Sequence, residues 1–238
     1  MKRAGARFFV MPAMAAALAA LVSCTAVRQV RPMEPGENVV NLSLGGPMTK
    51  YAGDAFLPLP FLSLGYNRGL TRALDLEAGI DLTHTLFSNP KIDLGVNWRL
   101  QQPERWHPGI TLSPRLHGVS DFKSAVRVYP ALSMTWAWRA TRSLWPYLGM
   151  ENFFELQWKR EDDQFQTHHW LIAPYAGLAL CHGRWQYQLE VRVYTPNLDN
   201  DYGRAAENLG FGNHGILGFF LGVGRTFGRT RADTQPSE

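Results

Sequence analysis

Lysine is scarce in this chain of 238 residues, where Lys2, Lys50, Lys91, Lys123 and Lys159 are the only five. A soluble β-sheet covers its wet face with long, flexible charged side chains, so the scarcity argues against a broad solvated sheet. Cysteine is scarcer still. Cys24 and Cys181 alone cannot supply the several bridges of a disulfide framework. The longest apolar run, Phe8 to Val22, is too short for a convincing membrane-spanning helix, which needs roughly 20 such residues. The net charge is only +4 and the basic residues are scattered, which excludes the basic stripe of a nucleic-acid-binding surface. No Gly-rich phosphate loop, clustered metal-ligand spacing or Ser-His-acid constellation stands out. The chain is therefore expected to hold no metal or other cofactor and not to be an enzyme.

What the sequence does contain is alternation. Leu74, Leu76, Ala78, Ile80 and Leu82 interleave with Asp75, Glu77, Gly79, Asp81 and Thr83. After Ser88-Asn89-Pro90-Lys91, Ile92, Leu94, Val96, Trp98 and Leu100 interleave with Asp93, Gly95, Asn97 and Arg99. Period-2 patterning on both sides of a short Asn-Pro turn reads as an antiparallel hairpin. Similar runs begin near Val40, Leu62, Ile110, Ala125, Tyr147, Trp170, Trp185 and Leu217, giving about ten strands. Three of them contain Pro114, Pro130 or Pro174, where a ladder hydrogen bond must be missing.

The polar faces of these runs carry small residues mixed with opposite charges. Asp75, Glu77, Asp81, Asp93, Glu151, Glu155 and Glu190 share them with Arg99, Arg115, Arg127 and Arg192. Such a set suits a cramped, hydrogen-bonded interior, which leaves the apolar faces pointing outward, as lipid allows and water does not. The expected fold is all-β, a transmembrane antiparallel up-and-down β-barrel of about ten strands, with the charges forming a salt-bridged network in its lumen. Shorter connections fall on the side shared with the termini. Trp98, Trp136, Trp138, Trp145 and Trp185 are expected as membrane-interface aromatics at that side, and Trp158 and Trp170 at the other.

Lys2, Arg3 and Arg7 precede the apolar run, and Leu21-Val22-Ser23-Cys24 closes it. This resembles the lipobox of bacterial lipoproteins, which implies a signal peptide over residues 1–23 and lipidation of Cys24. Residues 24–37, with Pro32, Pro35 and Gly36, are expected as a lipidated, periplasmic tether. Residues 38–228 form the barrel and 229–238 a flexible tail. The run ending at Phe227 resembles the closing strand of small bacterial outer-membrane β-barrel proteins, although these usually end at the aromatic residue and here eleven more follow. That resemblance implies the outer-membrane bilayer and the barrel-assembly machinery as partners, with the N-terminus lipid-anchored on the periplasmic side. The expected function is structural, surface-interacting or that of a narrow channel. The alternatives are a barrel enzyme at the outer rim and a lipid-anchored periplasmic β-sandwich. The loop residues Asp162, Asp163, His168 and His169 resemble the outer-rim residue types of omptin proteases, without a motif that matches residue by residue. Asn213-His214-Gly215 reads as a turn.

Overall fold

A computed structural model describes residues 27–51, 55–104, 106–120, 126–158, 165–199 and 207–228. The alternating runs become β1 (Asn38–Lys50), β2 (Phe56–Pro58), β3 (Phe61–Gly69), β4 (Leu74–Asp81), β5 (Lys91–Gln101), β6 (Gly109–Ser120), β7 (Val126–Ala137), β8 (Leu144–Phe154), β9 (Trp170–His182), β10 (Trp185–Asp199) and β11 (His214–Phe227). Neighbours in sequence pair antiparallel, and β11 returns to β1 along a ladder from Asn38↔Phe227 to Pro47↔Gly218. The sheet is thus a closed barrel of ten staves, β1 and β3 to β11. The short β2 only folds back on the end of β1, from Met48↔Pro58 to Lys50↔Phe56. Closure leaves no stave with an unpaired edge, and it rules out the two-sheet sandwich.

Alternation sets what each surface carries. Leu42, Leu94, Leu116 and Leu221 point outward, and Leu94 is 59% exposed. Their sequence neighbours Asn41, Ser43, Asp93, Arg115 and Phe220 point inward and are buried. An apolar exterior around a polar interior inverts the soluble pattern and fits a wall facing lipid. Two rims follow from the topology. The terminal rim is where β1 starts and β11 ends, and its connections are short, the briefest being Gly183-Arg184 between β9 and β10. The opposite, loop rim carries the longest ones, 155–169 and 200–213, beside one of only five residues, 121–125.

Trp98, Trp136 and Trp185 lie near the terminal rim and Trp158 and Trp170 near the loop rim; all but the half-buried Trp136 are exposed, and the half-buried Trp138 directly follows β7. Trp145 departs from the expected girdle. It is 6% exposed and packs in the lumen against Tyr147 and Tyr175. In β8 its phase is that of the inward residues Tyr147 and Glu151, while Leu148 and Met150 take the outward phase.

The prolines occupy places where the ladder stops on one side. β7 pairs with β8 only from Ala131 onward, so Pro130 needs no partner there. Pairing of β9 with β10 ends at Tyr175, next to Pro174. The ladder between β5 and β6 skips from Gly95↔Arg115 to Trp98↔Leu112, across Pro114. The missing amide hydrogen therefore falls at gaps rather than within an intact ladder.

Between β4 and β5 the alternation misleads, because Leu82 and Thr83 belong to a short helix, α1 (Leu82–Leu86), rather than to a strand. Asp81 ends β4 and caps the helix by accepting a 2.9 Å hydrogen bond from the His84 amide. This is the side-chain-to-backbone bond that favours Asp at such a position.

The expected tether is the larger correction. Residues 27–37 are not a free linker outside the barrel: Val27, Arg28, Met33 and Glu37 are each 3% exposed or less, inside it. An extended segment enclosed by a lumen is contacted from all sides, so burial imposes no periodicity on its sequence.

Candidate functional site

The lumen is built in tiers on the segment that crosses it. Midway up, Val27 packs with Ala131, Phe153, Ala173, Tyr194 and Phe220. Gly222 of β11 makes room for it, since a Cβ there would come within 3.0 Å of Val27 Cβ. Next toward the terminal rim, Arg28 forms an ion pair with Glu151 and donates to Ser133 Oγ. Gln188 Nε2 donates to the Arg28 carbonyl at 2.6 Å. Below, Val30 packs with Ala137, Trp145, Tyr147 and Ala179. At the rim, Arg99 Nη1 donates to the Met33 carbonyl at 3.2 Å, and Glu37 accepts from the Glu34 amide at 2.9 Å and from Arg31 at 3.2 Å.

Glu151 is the centre of the charge network. Besides Arg28 it pairs with Arg192 Nη1 at 2.9 Å. Arg192 also reaches Glu190 at 2.7 Å, and Tyr147 Oη donates to Glu190 at 3.1 Å. Both guanidiniums lie 5.1 Å from the centre of the Tyr175 ring. A second group joins Arg115 to Glu77 at 2.5 Å, with Asn97 donating to the same carboxylate at 2.9 Å and Ser113 to Asn97 at 2.7 Å. A third pairs Arg99 with Asp75 near the terminal rim. Buried charges persist only when matched in this way.

The other expected lumenal residues are more scattered. Asp93 is buried over Gly79, where a Cβ would meet its carboxylate at 2.5 Å. Asp81 contacts the His84 ring at 2.9 Å beside α1. Glu155 lies just past β8 and accepts from the Gln157 amide at 2.9 Å. Arg127 faces inward only at the loop rim, opposite Val119, and is half-buried. Sequence patterning missed Arg28, Glu37, Lys91 and His117, all buried in the interior. The excess of seven acids over four arginines is a signal for further cations such as Arg28 and Lys91, since buried carboxylates need matching charge; nothing comparable points to Glu37.

The outer-rim candidates do not assemble a reacting site among the described residues. His169 Nδ1 lies 2.8 Å from the Glu155 carbonyl oxygen, with its ring edge-on to Trp158. His214 pairs with Asp199 at 3.1 Å on the exposed rim. No group of three His, Cys, Asp or Glu residues among those described could hold a metal ion. Asp162, Asp163 and Cys24 lie outside the described residues. At the terminal rim a cavity of about 730 Å³ opens between the segment and the wall, lined in part by Arg31, Arg72, Arg99, Arg139 and Arg142.

No protein-family model and no curated protein sequence matches the chain. Solved structures do. The translocator domain of the autotransporter NalP from Neisseria meningitidis is 8% identical, with 83% of this chain and 91% of that one covered and a TM-score of 0.43. The NanC porin is 7% identical, covering 79% and 98%, with a TM-score of 0.42. The outer membrane protein OprG from Pseudomonas aeruginosa is 10% identical, covering 84% and 100%, with a TM-score of 0.35. At such scores the likenesses decide nothing about what the lumen does.

Proposed function

We propose that this chain is a non-enzymatic outer-membrane β-barrel, lipidated at Cys24, whose lumen is shut by its own amino-terminal segment. Its role is structural or surface-interacting rather than the passage of solute. One observation carries the reading: the segment from Val27 to Met33 fills the lumen from its middle to the terminal rim, tied by Arg28 to Glu151. Ten staves enclose little more space than the eight whose side chains fill a small barrel, and here a further stretch of chain occupies it. The apolar wall supports the bilayer as its surroundings, and insertion is assigned to the barrel-assembly machinery that serves barrels of this class.

The purified protein, reconstituted into planar bilayers, is expected to give no steady single-channel steps. Large, stable conductance from the unmutated chain would move the function to solute transport. The wall has its own test. Leu94→Arg places a charge on the outward face, and near the bilayer midplane such a change costs about 2–4 kcal/mol. The expected readout is a lower temperature for loss of the fast-migrating folded band in detergent electrophoresis. Unchanged stability would place that face in water.

A further inference from the structure

The segment that shuts the lumen also has a direction. Val30 lies among Ala137, Trp145 and Ala179, close to the terminal rim. Met33 and Glu34 reach Gly69, the last residue of β3, where a Cβ would meet them. Val27, by contrast, packs against Phe153, one residue short of the loop-rim end of β8, and Ala173, three residues from that end of β9. The chain therefore runs from the loop-rim half of the lumen down to the terminal rim, turns at Pro35-Gly36 and climbs again as β1. Gly36 has a φ of +85°, a left-handed conformation open to glycine at little cost.

From this polarity we infer that the chain ahead of Val27 leaves the barrel through the loop rim. Acylated Cys24 would then lie at the cell surface rather than on the periplasmic side. The lipid in this statement rests on the function proposed above; the exit does not. Cys24 precedes Val27 by three residues, which span at most about 10 Å. Descending from Val27 to Met33, at the terminal rim, takes the chain six residues, roughly 20 Å when extended. Three residues cannot retrace that path, and Arg28, Glu151, Arg192, Tyr147 and Tyr175 fill the lumen beside it. Toward the loop rim the way is shortest beside β8 and β9, where Phe153 and Ala173 lie one and three residues from the strand ends. Long loops face outward in barrels of this kind, so that rim is the cell surface.

The test uses the full chain with a short hydrophilic epitope inserted between Thr25 and Ala26, probed by antibody on intact and on permeabilised cells. Two cysteines in a Cys181→Ser background calibrate the sides with a membrane-impermeant maleimide. Phe87→Cys lies beyond α1 at the loop rim and Trp106→Cys between β5 and β6 at the terminal rim, both at exposed positions. The epitope and Phe87→Cys are expected to react on intact cells, and Trp106→Cys only after permeabilisation. An epitope reached only after permeabilisation, with Phe87→Cys labelled on intact cells, would overturn the inference and leave the outer-membrane barrel standing. Failure of both cysteines to label on intact cells would instead remove the outer-membrane reading, and the surface exit with it. If the tagged chain does not assemble, Ala26→Cys in the same Cys181→Ser background replaces the epitope and is probed with the same maleimide: labelling on intact cells supports the inference, and labelling only after permeabilisation counts against it.

Discussion

Glu151→Gln is expected to destabilise the barrel by about 3–5 kcal/mol, the cost typical of removing one partner from a buried ion pair. The size follows from position. Glu151 is fully buried and serves two guanidiniums, Arg28 and Arg192. Glutamine keeps the volume and removes the charge, so both arginines, buried and unable to reach water, lose their pairing with Glu151. Arg192 retains Glu190, whereas Arg28 has no other carboxylate at contact distance among the described pairs. The cost should therefore concentrate on Arg28, and Arg28→Gln added to Glu151→Gln should recover part of it as a coupling energy of about 0.5–3 kcal/mol. Thermal unfolding in detergent measures both. A Glu151→Gln barrel as stable as the unmutated one would mean that the network is hydrated and screened rather than buried.

Removing residues 27–33 is expected to have the second large effect, and on conductance rather than on the fold. The deletion empties the middle of the lumen but leaves every stave and the pairs Arg192–Glu190, Arg192–Glu151, Arg115–Glu77 and Arg99–Asp75 in place. Because the wall is held by its ladders, the barrel should keep its resistance to detergent while a silent protein begins to show discrete channel steps. The newly exposed lining would include Glu151 and Glu190 beside Arg192, so selectivity should shift when either acid is neutralised. A deletion variant that folds and stays silent would show that wall side chains alone close the passage.

The staves were legible because each alternates between two unlike environments, and a strand such as β5 records this from Ile92 to Leu100. Legibility failed where that two-sided contrast is absent. Residue type alone places Trp145 in a girdle, although its phase with Tyr147 and Glu151 points inward. Leu82 and Thr83 continue the alternation of β4 for two residues, yet the Asp81 side chain caps a helix turn and redirects the chain. Residues 27–37 carry the least legible pattern, because their buried members Val27, Arg28, Val30, Met33 and Glu37 follow no single period. The charge pairing inside the lumen was readable as composition only. Which acid meets which arginine depends on stagger between staves, and no single strand carries that information.

The seam between β1 and β11 constrains how the molecule can be made. Its outermost pair, Asn38↔Phe227, joins positions 227 − 38 = 189 residues apart, and contacts of such long sequence separation are the slow ones to form. The segment inside the lumen lies ahead of the first stave, so it is synthesised before any wall exists to hold it. A finished barrel offers no side entrance, because every stave is paired on both edges. The wall is therefore expected to close around the segment, with the β1–β11 ladder, the pairing of longest sequence separation, as the closing seam. Until that moment the two arginines and the acids that will face them are open to water, and the charge matching in the interior is completed in the same step that ends assembly.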